Sequence, residues 1–209
     1  ASASGGWGQA LVSGRYGRAI ASGVQGQAIA SGEQGHASAS GLRGQALASG
    51  ERGQASTSSY QSQAVASGEH GQAIASGIYG QASASGELGQ ALASGGQGQA
   101  LASGWQGQAI ASGLQGHARA SGWQGQASAS GEQGRAIASG VYGQASALQR
   151  AELAQSRYRV RGGDNAVLVL EWYDEHGRLR LTVGYVGENG IKPNVWYKLS
   201  PSYELEEVF

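Results

Sequence analysis

Gly23-Val24-Gln25-Gly26-Gln27-Ala28-Ile29-Ala30-Ser31 is followed at once by Gly32-Glu33-Gln34-Gly35-His36-Ala37-Ser38-Ala39-Ser40. The register Gly-x-x-Gly-Gln-Ala-x-Ala-Ser holds from Ala3 to Ser146, sixteen nine-residue units without insertion or deletion. One unit is degenerate, with Thr57, Ser59 and Ser62 where Ala, Gly and Gly are expected. A flexible Gly/Ser linker has no need of so strict a period, so this is a repeat architecture.

Each unit reads as a short strand, Gln-Ala-x-Ala-Ser, closed by a Gly-x-x-Gly turn whose glycines are expected to supply positive φ. Helix is the rival, because Ala and Gln favour it, but two Gly in every nine residues would cost a helix about 1 kcal/mol each. Strand alternation sends Ala-Ala one way and Gln-x-Ser the other. The first turn position has a longer period. Glu33, Glu51, Glu69 and Glu87 recur in every second unit, with Val24, Leu42, Tyr60 and Ile78 in the units between them. Two units therefore make one coil with two chemically different edges. The expected fold is all-β: a parallel two-sheet β-solenoid of 18 residues per coil and about eight coils. Right-handed winding is favoured, and coils about 4.8 Å apart give a rod of roughly 38 Å.

The Ala columns barely vary, Val12 and Thr57 being exceptions, whereas the middle x runs from Ile, Leu and Val to Ser and Arg119. Gln gives way to Arg18, His36, His117 and Arg135. Cores resist changes in volume and buried charge, and surfaces tolerate both. Ala is accordingly placed inside; the opposite choice, Ile and Leu inside beside Gln ladders, would have to bury Arg119. One outer face then carries Leu11, Ile29, Leu47 and Val65, and the other Ile74, Leu92 and Ile110. A flat apolar β surface is a candidate assembly face, although isolated Ile and Leu on a sheet need no partner.

Composition breaks near residue 148: 32 of the 38 Gly precede it, and both Lys, both Pro and both Asp follow it. The chain divides into a nonapeptide-repeat solenoid (1–148) and a C-terminal β capping module (149–209). Residues 166–173 and 178–183 read as antiparallel strands around an Asp174–Gly177 turn, Asn189-Gly190 as another turn, and 194–199 as a third strand. Residues 151–159 are expected to form a short helix leading into them. A solenoid end exposes unpaired backbone groups, which is why a cap is expected there. The repeat is already in register at Ala1, so the other end lacks such a device; if Ala1 is the natural start, that edge is expected to dock.

With the repeats goes Val183-Gly184-Tyr185-Val186-Gly187-Glu188-Asn189-Gly190-Ile191-Lys192-Pro193. Together they resemble a group of uncharacterised bacterial and bacteriophage tandem-repeat proteins, many of which carry Thr where this chain has Gln or Ile. The likeness spans nearly the whole chain. It implies a repeat rod with a terminal module and carries over no activity and no functional residues.

Site chemistry is sparse. The absence of Cys excludes a disulfide scaffold, a thiolate metal site and a cysteine nucleophile. Lys+Arg and Asp+Glu number 14 each and are scattered, so no nucleic acid is expected as a partner. No run approaches the roughly 18 apolar residues a membrane helix needs, so no transmembrane segment is expected. Residues 1–30 show no signal peptide, which says nothing if one has been removed, and the compartment stays open. Nonapeptide β-rolls bind calcium through an Asp in each turn, and this repeat region has no Asp; no metal or cofactor is expected. The Glu row, followed by Arg52 and His70, reads as screened surface charge. His36, His70 and His117 occupy separate slots, and an Ala-filled core leaves no room for a pocket, so no enzyme is expected.

Trp105 and Trp123, two units apart beside Gln106 and Gln124, form a candidate ligand-binding ladder for a sugar ring, or else simple packing. Ice binding usually involves Thr-x-Thr arrays, and Thr occurs only at Thr57 and Thr182. Two readings result. One is a structural homo-oligomer associating through flat faces and an open end, in the extreme a filament. The other is a surface-binding module for a glycan, a host surface or ice.

Overall fold

A computed structural model describes residues 1–148 and 152–208. Among these no residue is helical, and the strands number 23. Strand β1 (Ser2–Ala3) precedes sixteen repeat strands, β2 to β17, which start with β2 (Gln9–Val12), recur once per nonapeptide unit and end with β17 (Gln144–Leu148). Then come β18 (Leu153–Ser156), β19 (Arg159–Gly162), β20 (Val167–Tyr173), β21 (Leu179–Tyr185), β22 (Trp196–Leu199) and β23 (Leu205–Glu207). Odd-numbered strands up to β19, followed by β22 and β23, make a 12-stranded sheet; even-numbered strands up to β20, followed by β21, make an 11-stranded one. Repeat strands two units apart pair in parallel and in register, as where Ala46 sits between Ala28 and Ala64. The chain is the two-sheet β-solenoid its period predicts.

Ala is inside. From Ala19 to Ala147 the paired Ala columns are at most 2% exposed, and Arg119 faces solvent. Methyl groups from the two sheets fill the interior, so the rod is thin and every coil repeats the packing of the last.

The glycines are needed for a different reason from the one the turn pattern suggests. Among the described repeat glycines Gly131 alone has a positive φ (144°); elsewhere it falls on the second x of the turn, at Arg43 (59°), Arg52 (65°), His70 (59°) and Leu88 (60°) among others. What the glycines supply is room. A Cβ on Gly86 would lie 2.0 Å from the carbonyl oxygen of Gly68 in the coil below, and one on Gly89 would crowd the Gly86 oxygen at 3.0 Å. Coils thus stack on bare backbone at the turns, while Gly89 N–H closes its own turn onto the Gly86 carbonyl at 3.0 Å. Ser59 breaks the rule and compensates: its hydroxyl donates to the Gly41 carbonyl of the neighbouring coil.

The degenerate unit also carries a cost. Thr57 is 1% exposed between Ala39 and Ala75, and its Oγ1 has no hydrogen-bond partner. Thr57→Val keeps the shape and removes the orphaned hydroxyl. We expect a gain of about 1 kcal/mol, read as a higher urea midpoint at unchanged slope. A lower midpoint would show that the hydroxyl is satisfied.

The segment expected to be helical is not. Ala151 lies outside the described residues, but Leu153–Ser156 is a strand that continues the parallel ladder on Arg135–Ala138, with Ala154 and Ser156 inward like repeat alanines. The open edge of the last repeat coil offers backbone partners that outweigh a local helix preference. Strands β19 and β20 still pair in parallel, on β17 and β18. Antiparallel pairing begins only with β21 on β20 and β22 on β19. Here the core changes from Ala to Val160, Leu168, Leu170, Val186 and Tyr197, all buried.

Candidate functional site

Because Ala faces inward, the middle residue of each strand faces out, and in-register stacking gathers these residues into columns. On the 11-stranded sheet Leu11 pairs with Ile29, Ile29 with Leu47 and Leu47 with Val65. Ser83, Leu101, Arg119 and Ile137 continue the column and end its unbroken apolar run. On the 12-stranded sheet Ile74, Leu92 and Ile110 adjoin in the same way. Leu11, Leu47, Ile74 and Ile110 are exposed, and Ile29, Val65 and Leu92 are half-buried by their column neighbours. Beside the first column runs a row of amides bonded along the rod, Gln9 to Gln27 at 3.4 Å, Gln27 to Gln45 at 3.3 Å and Gln63 to Gln81 at 3.3 Å. These amides spend part of their hydrogen-bonding capacity on one another, beside the apolar stripe.

The turn edge that begins with Glu sets a basic side chain near three of its four carboxylates. Arg15 pairs with Glu33 at 2.8 Å, Arg52 approaches Glu51 at 4.0 Å and His70 approaches Glu69 at 3.6 Å. All are exposed, so each pair contributes little. Among the described residues no three His, Asp or Glu come together as a group that could hold a metal ion.

Farther along the same edge the aromatic ladder is longer than its sequence signal. Trp105 and Trp123 stack at 5.7 Å with planes 19° apart. Trp123 meets Tyr142 edge-on at 5.6 Å, and Tyr142 meets Tyr158 edge-on at 5.6 Å. Tyr142 occupies the second turn position where Trp123 occupies the first, and Tyr158 lies beyond the repeat; neither shows in the two-unit pattern. Gln106 donates to Gln124 at 2.7 Å alongside. An open groove of about 460 Å³ runs past Gln106, Gln124, Gln144, Tyr142, Tyr158 and Arg159. The rings contact one another along the rod axis, Trp123 having Trp105 on one side and Tyr142 on the other. A sugar stacks on a free aromatic face; Trp105 and Trp123 turn one face each toward the other and stay 55% and 44% exposed.

In the C-terminal hairpin, Asp174 accepts hydrogen bonds from the backbone N–H groups of Arg178 (2.9 Å) and His176 (3.0 Å), and from the guanidinium groups of Arg178 and Arg180 (2.9 Å each). The Arg178 backbone hydrogen bond, reinforced by the two guanidinium groups, holds its carboxyl below the ordinary value. This cluster ties down a turn.

No protein-family model matches the chain, and no curated protein or solved structure matches it either. Among the described residues no helix is long and apolar enough to cross a membrane.

Proposed function

We propose that this protein is a structural β-solenoid that associates with its own copies by face-to-face packing. The supporting observation is the pair of outward columns, Leu11–Ile29–Leu47–Val65 on one sheet and Ile74–Leu92–Ile110 on the other. Each is a flat apolar stripe on a rigid sheet, and such surfaces are rare on soluble monomers without a partner. Stacked sheets pack about 10 Å apart and bury both faces, and beside the first stripe several amides are already bonded along the rod. Where Ala1 begins the chain, pairing at the open edge of β2 would extend the same association end to end, into a filament.

The test is sedimentation velocity over a wide concentration range, with negative-stain images of the same samples. Large concentration-dependent species are expected for the wild type, and loss of those species for Ile29→Lys with Leu47→Lys, since a desolvated ammonium group in the stripe is costly. Unchanged assembly in the double variant removes the face model. A monomer at every concentration removes it too, and moves attention to the groove beside Tyr142 and Tyr158. Its amide-rich lining favours a glycan partner as the second reading.

A further inference from the structure

We infer that a second copy of this chain adds to the free edge of β21, so that two rods join tail to tail and their 11-stranded sheets become one. The inference is independent of the face-to-face reading and concerns another part of the surface.

The two sheets end in four strands: β1 and β23 in one, β2 and β21 in the other. Strand β1 has two residues, β2 four and β23 three, whereas β21 has seven. Strand β23 is guarded by charge: Glu206 and Glu207 lie on it, with Lys198 and Lys192 as their partners at 4.0 and 2.8 Å. Such short or charged edges are how sheets avoid accretion. Strand β21 is long, and its one charged residue, Arg180, lies on the opposite face from its apolar side chains. Its outward side chains are Leu179, Leu181, Val183 and Tyr185, with Leu179 51% and Leu181 56% exposed.

The backbone of β21 is available at the same residues. Val186 N–H donates to the Ala166 carbonyl and Asp174 N–H to the Arg178 carbonyl, which sets the phase of the β20–β21 ladder. Even-numbered residues of β21 therefore spend their backbone groups on β20, and odd-numbered ones turn theirs to the open side. Among the described residues, no hydrogen bond occupies those groups at Leu179, Leu181 or Val183. The Tyr185 carbonyl is taken, by Glu188 N–H at 3.0 Å.

That occupancy selects a register. An antiparallel edge can pair with itself about a two-fold axis. Centred on Leu181, the pairs are Leu181 with Leu181 of the copy and Leu179 with Val183 of the copy, and only free backbone groups are used. Centred one residue later, on Thr182, the pairing would need the occupied Tyr185 carbonyl. In the Leu181 register Arg180 faces Thr182 of the copy, so no like charges lie directly opposite, and Arg180 already has Asp174 at 2.9 Å. The apolar side chains of the two strands then form one continuous band on a single face.

Leu181→Pro is the discriminating variant. It deletes an N–H that the fold leaves free, and proline is tolerated on an edge strand for that reason. By sedimentation velocity the wild type should contain a dimer, or multiples of it, whose dimer contact Leu181→Pro loses while Ile29→Lys with Leu47→Lys retains it. Leu181→Cys gives a second readout in a chain without native Cys. Residues opposed in a hydrogen-bonded antiparallel pair have Cα atoms about 5.5 Å apart, within disulfide reach. Mild oxidation should therefore link Leu181→Cys into covalent dimers and leave Tyr185→Cys monomeric. A wild type that is monomeric throughout, a dimer that survives Leu181→Pro, or equal cross-linking of the two Cys variants would each overturn the inference.

Discussion

Ala91→Leu is expected to destabilise the solenoid by about 3 kcal/mol or more, the upper end of what overpacking costs. Ala91 is 1% exposed and pairs with Ala73 and Ala109, so alanines occupy both neighbouring rungs of its column. The extra carbons meet alanine methyl groups on both sides, and those have no rotamer to give way. Relief requires the two sheets to part, and in-register hydrogen bonding to the coils above and below opposes that movement. One residue on, Leu92 faces out, and Leu92→Lys should change stability by no more than about 0.5 kcal/mol. Urea denaturation of the two variants decides the orientation of the sheets. A harmless Ala91→Leu beside a ruinous Leu92→Lys would reverse inside and outside.

Leu168→Ala should cost a similar amount, about 3 kcal/mol, by the opposite mechanism. Leu168 is fully buried where the core changes from methyl groups to large side chains, and its truncation leaves a cavity. The loss should be local. In a repeat stack each coil is held by its nearest neighbours, so damage at one end frays that end first. Hydrogen exchange is expected to speed up in β20 and β21, with the middle repeat strands as protected as in the wild type. Uniform loss of protection would instead show that the cap and the solenoid unfold as a single cooperative unit.

These contrasting effects mirror how differently the two parts of the chain can be read. In the repeat, Glu33, Glu51, Glu69 and Glu87 reveal the two-unit coil, and the invariance of Ala against the variability that admits Arg119 reveals the inward face. Each position there meets its equivalents on either side, so a local pattern is also a tertiary statement. The glycines show the limit of that logic. Their spacing marks the turns, but whether a position needs positive φ or merely lacks room for a Cβ depends on the coil beneath. Gly68 under Gly86 supplies that answer, and Arg52 and His70 take the left-handed conformation instead.

Past residue 148 the period is lost, and so is the equivalence of neighbours. Leu153–Ser156 has a helix-compatible composition, yet the unpaired edge of Arg135–Ala138 draws it into a strand. Tyr158 joins the Trp105–Trp123–Tyr142 ladder only because the coil that carries it is shorter than a repeat coil. The columns Leu11–Ile29–Leu47–Val65 and Ile74–Leu92–Ile110 were legible as candidate faces. The free edge of β21 was not, since alternation in Leu179–Tyr185 says which side chains share a face but not which backbone groups stay unpaired. Sequence alone determined the period, the inward alanines and the two outward stripes, because in a strict repeat every contact is made between like positions. Tertiary structure decided where parallel pairing stops, why the glycines are glycines and which edge is left open, because each of those depends on what lies across a gap from residues distant in the chain.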